Sequence, residues 1–235
     1  MKQALAAPYH VNLISLAPEY QSKFSNQAAV NFVNTVLGMP YGWHNFIFTF
    51  LDVVDGNLPR PITPDLFEVV FGLAERSIPF DSKGSVYNML IQGLNQRLAT
   101  ACTTLQCIYE TIDPKKMSLL QASSIPEQDS WRYEGNRSLV CDVFVTEVLQ
   151  AGGALPFSFQ ATEQTPKDLY QMQIWDVGFD RLPRPCLESN PELPFCQIMG
   201  DYVFTLPGLS SIPIYPSMNN ICPALSPQFY RTPGC

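Results

Sequence analysis

Apolar residues recur at helical spacing through much of the first 180 residues. After Ser25, a residue type that commonly caps helices, one apolar stripe ends just before Gly38 and Pro40. This stripe consists of Ala29, Phe32, Val33, Val36 and Leu37. The same kind of pattern predicts further helices over residues 63–76, 84–98, 113–121, 138–152 and 165–172, three of them opened by Thr-Pro or Asp-Pro.

Segments with a strand-like pattern are fewer and shorter. They lie at residues 10–16, 157–161 and 202–206. Together with the helices they predict an α+β fold, in which a layer of helices packs on a small antiparallel sheet.

Proline divides the chain into two parts. Residues 1–180 hold 11 prolines, and residues 181–235 hold the other 10. An interior proline removes a backbone donor and clashes with the preceding helical turn, so the second part cannot be mostly helical. We expect a single domain, with residues 181–235 forming an irregular Pro- and Cys-rich extension packed on residues 1–180.

Composition excludes several classes of function. The chain of 235 residues is 46% hydrophobic and 15% charged, which is enough apolar material for a sizeable core. Its net charge of −7 and its lack of a Lys/Arg cluster exclude a general nucleic-acid binder. No run of 18 apolar residues predicts a membrane span, and the first ten residues hold no apolar signal-peptide core.

Motif searches predict neither a metal nor a cofactor. The sequence contains no glycine-rich nucleotide motif, no serine-hydrolase elbow and no pair of CxxC elements. Its two histidines, His10 and His44, do not combine with the cysteines in a zinc-binding spacing.

The seven cysteines suggest disulfides and one free thiol. Cys102 and Cys107 are predicted to form one bridge. Two more bridges are predicted among Cys186, Cys196, Cys222 and Cys235, and their connectivity stays open. Paired cysteines favour an extracellular, lysosomal or other lumenal compartment, although a cytosolic chain with seven reduced thiols is the alternative.

Cys141 is the cysteine left over, and it lies in the first turn of a predicted helix. The positive end of the helix dipole and the free N–H groups favour the thiolate, which is the nucleophilic form. The alternative is a small apolar residue buried on a helix face.

Two segments resemble parts of a known superfamily. One is WRYEGNRSLVCDVFVTEVLQAGG, in which Tyr133 precedes CDVFV at 141–145 and a helix that ends in Ala-Gly. The other is the helix that ends at Leu37, together with GMPYGWHNF after it. They are similar to the nucleophile helix and the G-x-PY element of NlpC/P60-like (papain-like) cysteine hydrolases. The resemblance implies a papain-like domain over residues 1–180, with a helical insertion at 60–125.

The order of the candidate residues favours one branch of that superfamily. No histidine follows Cys141, whereas His10 and His44 both precede it. This order resembles the circularly permuted YiiX-like and lecithin:retinol-acyltransferase-like proteins. His44, in the PYGWHN turn, and His10, at the start of a strand-like segment, are both candidates for the base.

The resemblance implies a thiol hydrolase or acyltransferase that acts on an amide, peptide or ester bond. Imidazole would take the thiol proton, and backbone N–H groups at the start of the Cys141 helix would hold the oxyanion. Tyr41 is a candidate for contact with the substrate or the oxyanion. Asp142 is a second candidate there, or a structural residue at the helix N-terminus.

Three alternatives remain open at this stage. The chain could be an inactive relative that serves as a secreted binding or structural domain, or a fragment that lacks its catalytic histidine. It could also be an unrelated helical, disulfide-stapled interaction protein. Asn136-Arg137-Ser138 is an N-glycosylation sequon of small weight, and the oligomeric state is not predicted.

Overall fold

The computed structural model describes residues 11–49, 86–123, 125, 127–133, 137–178, 182, 184–189, 195–199 and 208–214. Within them lie two strands, β1 (Val11–Leu13) and β2 (Cys196–Met199). The helices are α1 (Pro18–Gln21), α2 (Asn26–Val36), α3 (Trp43–Thr49), α4 (Val86–Leu98), α5 (Leu105–Ile112), α6 (Leu119–Ser123), α7 (Cys141–Ala151), α8 (Pro166–Gln171) and α9 (Arg184–Ser189). Two short 3₁₀ turns occupy Asp113–Lys115 and Ala161–Glu163.

The architecture is mixed helix and sheet, as predicted for an α+β fold. β1 and β2 pair antiparallel, with Asn12 opposite Gln197 and Leu13 opposite Cys196. The second strand belongs to the Pro-rich part of the chain, so this part is joined by hydrogen bonds to the first described strand. The predicted helix at 63–76 and the predicted strand at 202–206 lie outside the described residues.

Local capping explains where several helices begin. The Ser25 hydroxyl accepts a hydrogen bond from the Ala28 N–H at the start of α2, as the sequence predicts. At α8, Thr165 and Asp168 form a reciprocal capping box, and Pro166 occupies the first turn.

The predicted helix at 113–121 is wrong in its starting point. Asp113–Lys115 forms only a 3₁₀ turn, which stops at Lys116 because this residue is left-handed, with φ of 52°. The α-helix begins further on, where Ser118 and Gln121 each accept a hydrogen bond from the other's backbone N–H. This reciprocal cap fixes the start of α6 at Leu119 rather than at Pro114.

The predicted strand at 157–161 is also wrong. The Phe159 N–H donates to the Pro156 carbonyl, and a 3₁₀ turn begins at Ala161. The Asp129 carboxylate accepts the N–H groups of Ala161 and Thr162 at 2.9 and 2.8 Å. These donors are therefore committed to a side chain and not to a neighbouring strand.

The tail contains more regular structure than predicted. Besides β2 it includes the helix α9, and a disulfide between Cys186 and Cys196 joins the two. Cys102 and Cys107 form the other bridge, which confirms the pairing predicted from their spacing. Cys222 and Cys235 lie outside the described residues.

Among the described residues, buried side chains form three apolar clusters. The largest packs α3 against α4, α5 and α6 around Phe48, Leu94 and Ile108. A second surrounds Phe159 and Met172 near the C-terminal end of α7. The third packs α2 and α7 together and consists of Val36, Leu139, Val140, Val143 and Ala161. This third cluster fixes the N-terminal end of α7. Within the described residues, no helix combines the length and the apolar character needed to cross a bilayer.

Candidate active site

Cys141 is the first residue of α7, and its thiol is free and exposed. The residue before it, Val140, is the N-cap and has no side chain that could accept a hydrogen bond. The N-cap position of α7 therefore supplies no side-chain cap, and the Asp142 carboxylate accepts the Val143 N–H of the first turn instead.

α7 differs from an ordinary surface helix because its inward face holds polar residues beside the apolar Val143 and Leu149. Its polar residues point inward and are buried: Asp142, Thr146, Glu147 and Gln150. Its outward residues are apolar, with Cys141 and Val145 exposed and Phe144 and Val148 half-buried. An apolar outward face beside a free thiol is a candidate contact surface for a ligand.

An apolar groove of about 350 Å³ opens at Cys141. One wall comes from the end of α2 and the loop after it, and the other from the start of α7. The lining residues are Val33, Val36, Leu37, Gly38, Met39, Pro40, Tyr41, Leu139, Val140, Cys141 and Phe144. None of these residues is charged, and residues 24–51 contain no Lys, Arg, Asp or Glu.

Tyr41 contributes a hydroxyl to the end of this groove. The hydroxyl interacts with both the side chain and the main chain of Cys141. Partial burial, followed by the nearby charges of Cys141 and Asp142, raises the pKa of Tyr41 above 10.0, so the hydroxyl stays protonated and can donate. The structure thus brings together two of the residues predicted for the site, Cys141 and Tyr41.

The turn that carries Tyr41 docks on the segment leading into α7. The Gly42 N–H donates to the Leu139 carbonyl at 2.8 Å. A Cβ at Gly42 would lie 2.4 Å from the Leu139 nitrogen, so only glycine permits this approach. The two segments that carry the family resemblance are therefore in direct contact. The PYGWHN segment is not only a turn, since α3 begins at Trp43.

His44 points to other partners. Its Nε2 forms a 2.8 Å hydrogen bond with the Gln92 side chain, and its ring stacks on Tyr133 at a centroid distance of 3.9 Å. Burial, reinforced by the Arg97 charge, lowers the pKa of His44 from 6.5 to about 4, although the Gln92 hydrogen bond opposes this shift. His44 is not among the residues that line the groove. The other candidate base, His10, lies outside the described residues.

Asp142 is buried beneath the start of α7 and does not line the groove. Its carboxylate accepts the Val143 N–H at 3.1 Å. Burial raises the pKa of Asp142, and the N–H groups at the helix start oppose this shift. This position fits the structural role at the helix N-terminus rather than contact with the substrate.

Sequence reasoning missed a buried polar network behind the groove. Arg97 donates to Glu127 at 2.9 Å, and Glu127 also accepts a 2.6 Å hydrogen bond from the Tyr133 hydroxyl. Arg137 pairs with Glu147 on α7, and the second carboxylate oxygen of Glu147 is buried without a partner among the described residues. The local feature that could have indicated this network was Arg97, a charged residue within the apolar pattern of α4. Its partner Glu127 lies 30 residues further along the chain, so no local pattern links the two residues.

Part of the sequon has a structural role. Ser138 is buried and accepts a 2.7 Å hydrogen bond from the Asn45 N–H, while Asn136 lies outside the described residues. Among the described residues, no cluster of His, Cys, Asp and Glu is arranged to hold a metal ion.

Comparisons with protein-family models, curated proteins and solved structures found no match to the chain.

Proposed function

We propose that the chain is a thiol hydrolase or acyltransferase that uses Cys141 as its nucleophile on an ester or amide. The observation that carries this proposal is the position of the free thiol. It is exposed at the N-terminal end of α7, beside the Tyr41 hydroxyl and in the lining of an apolar groove.

The proposed reaction has two steps. The Cys141 thiolate attacks the substrate carbonyl carbon, and the tetrahedral oxyanion accepts a hydrogen bond from the Tyr41 hydroxyl at the positive end of the α7 dipole. Collapse of this intermediate gives a thioester and releases the alcohol or amine, which takes up a proton. Water or an acceptor alcohol or amine then attacks the thioester and restores the thiol.

Of the two histidines predicted as the base that accepts the thiol proton, His10 is the remaining candidate, and it lies outside the described residues. His44, the other histidine of the chain, directs its Nε2 at Gln92 and stacks on Tyr133 instead of lining the groove. His10 directly precedes β1 in the chain.

The groove supports a substrate whose acyl group is apolar. Its volume of about 350 Å³ falls within the range of small-molecule sites, and its walls are aliphatic and aromatic. A polar acyl group would lose hydrogen bonds with water there and gain none from the apolar side chains of these walls.

The test is acylation followed by intact mass spectrometry. Incubation with p-nitrophenyl octanoate is expected to release p-nitrophenol and to add one octanoyl group to Cys141. Cys141→Ser and His10→Ala should both abolish or strongly reduce this acylation. Leu37→Asp, which places a charge in the groove, should slow octanoylation by roughly tenfold or more and acetylation by less.

Phe157→Asp is the matched control for Leu37→Asp. Phe157 is 80% exposed and Leu37 is 79% exposed, but Phe157 follows the C-terminal end of α7 and does not line the groove. Equal loss in both variants would argue against the groove as the acyl site. An unacylated Cys141 with an intact fold would overturn the proposed activity.

A binding protein without catalysis is the second candidate function. The orientation of His44 toward Gln92 favours it, since this leaves His10 as the one histidine available to a Cys–His dyad. Such a protein would bind an apolar ligand in the same groove and would leave Cys141 unmodified. The mass measurement separates the two candidates directly.

A further inference from the structure

The start of α3 lacks a cap from its own residues. Gly42 precedes α3, and its carbonyl accepts the Phe46 N–H, which makes it the N-cap residue. Glycine is required at this position because a Cβ would lie 2.4 Å from backbone atoms of Ser138 and Leu139. The same residue therefore cannot supply the side-chain oxygen that usually satisfies the first-turn N–H groups.

Ser138 supplies that oxygen from a distant part of the chain. Its hydroxyl accepts the Asn45 N–H at 2.7 Å, and Asn45 is the third residue of α3, where a capping side chain normally binds. Beside this bond, the Gly42 N–H donates to the Leu139 carbonyl at 2.8 Å. Two donors three residues apart, Gly42 and Asn45, thus bind acceptors on the adjacent residues Leu139 and Ser138, shortly before Cys141.

The ring of Tyr41 is held by the same helix. It packs on Trp43 and Phe46, at centroid distances of 4.8 and 6.3 Å. The Trp43 N–H also donates to the Tyr41 carbonyl at 2.9 Å. Any movement of α3 away from residues 138–139 would therefore carry the Tyr41 hydroxyl away from Cys141.

We propose that Ser138 is a positioning residue, which caps α3 from outside and thereby holds the Tyr41 hydroxyl against Cys141. This inference rests on the proposed function for the catalytic meaning of Tyr41. Ser138 itself is buried and does not line the groove. The proposal therefore requires that its effect on the thiol passes through Tyr41 and not through the backbone of residues 139–140.

A double-mutant cycle on the alkylation of Cys141 tests this coupling. Iodoacetamide labelling is followed by peptide mass spectrometry across the pH range for the wild type, Ser138→Ala, Tyr41→Phe and the double variant. A hydroxyl that donates to the Cys141 sulfur stabilises the charge of the attacking thiolate, so both single variants should be labelled more slowly. At neutral pH we expect roughly threefold to tenfold slower labelling in Ser138→Ala.

The decisive comparison is made in the Tyr41→Phe background. There, Ser138→Ala should have no further effect, since the hydroxyl it positions has gone. Additive effects of the two substitutions, or an unchanged profile in Ser138→Ala, would overturn the proposal. Ser123→Ala is the matched control, since Ser123 is a buried serine whose hydroxyl donates to the Leu119 carbonyl in another cluster.

Two further variants guard against a purely structural effect. Ser138→Thr retains the hydroxyl and should restore the wild-type profile, whereas a profile like that of Ser138→Ala would contradict the capping role. Gly42→Ala forces the turn away from residues 138–139 and should slow labelling at least as much as Ser138→Ala. Alkylation needs no substrate, so a chain that acylates no ester can still show the coupling. Conversely, an active enzyme with additive variants would overturn this inference alone.

Discussion

His44 and Glu147 are buried titratable residues whose pKa values move in opposite directions. Burial lowers the pKa of His44 from 6.5 to about 4, and burial raises the pKa of Glu147 from 4.5 to about 7 against the opposing effect of Arg137. The contribution of His44 to stability is therefore present above pH 6.5 and lost as the pH falls through about 4. The contribution of Glu147 is present below pH 4.5 and lost as the pH rises through about 7.

These two dependences oppose each other, so we expect the wild-type free energy of unfolding to change little between pH 4.5 and 6.5. Glu147→Gln removes the contribution of Glu147 and leaves that of His44. The free energy of unfolding of this variant should therefore fall by on the order of 2 kcal/mol as the pH is lowered through this window. His44→Gln should gain stability on acidification over the same range. Urea titrations at several pH values measure both slopes. If the free energy of unfolding changed with pH in the same direction in both variants, the assignment of the two pKa shifts to His44 and Glu147 would be contradicted.

Cys141 and Tyr41 were identifiable from sequence because their chemistry is local. A thiol in the first turn of a helix and a tyrosine in a Pro-Tyr-Gly turn are visible within a few residues of each chain segment. The orientation of His44 was not identifiable, since its partners Gln92 and Tyr133 belong to distant segments. Its role as the catalytic base stays a prediction that the contacts do not favour.

At the scale of elements, Gly93 shows packing prevailing over helix propensity. Glycine in a helix interior is disfavoured by about 1 kcal/mol relative to alanine, which predicts that Gly93→Ala would be stabilising. A Cβ there would lie 2.1 Å from the Phe48 ring. Phe48 is fully buried, and the Arg97 guanidinium covers its ring at 3.8 Å, so the ring has no room to move aside.

We therefore expect Gly93→Ala to destabilise the fold by about 1–3 kcal/mol. Phe48→Leu should relieve the clash, so that the double variant is less destabilised than the sum of the two single variants. Thermal or urea unfolding of the four proteins gives this coupling energy. A stabilised Gly93→Ala would indicate that propensity outweighs the contact.

Helix periodicity predicted the positions of α2, α4 and α7, and the Thr-Pro start predicted that of α8. On α7 the expected inward stripe was wrong at Val145, which is exposed. The errors in the predicted elements arose where side chains accept hydrogen bonds from the backbone N–H groups. Asp129 takes the N–H groups of Ala161 and Thr162, which turns an apparent strand into a 3₁₀ turn. At α6, the reciprocal cap between Ser118 and Gln121 fixes the start of the helix, whereas Asp113-Pro114 opens only a 3₁₀ turn.

At the scale of the whole molecule, backbone hydrogen bonds attach the Pro-rich tail to the rest of the described chain in two places. β2 pairs with β1, and the Cys186–Cys196 bridge fixes α9 to the start of β2. Residues 208–214 add a further attachment, since the Gln173 N–H donates to the Ile212 carbonyl at 2.8 Å. Composition predicted the disulfides, but the strand pairing depends on contacts across more than 180 residues that no local pattern reveals.

The Cys186–Cys196 bridge should make a substantial contribution to the free energy of unfolding, even though it closes a short loop. It joins cysteines 10 residues apart, and closing a loop of that size removes about 2.7 kcal/mol of unfolded-state entropy. We expect the double variant Cys186→Ala, Cys196→Ala to lose roughly this free energy of unfolding and to expose β1 to hydrogen exchange. The matched pair Cys102→Ala, Cys107→Ala removes a bridge in another cluster and should leave protection at β1 unchanged. Protection at β1 that is lost equally in both variants would mean that the tail is held by global stability and not by this bridge.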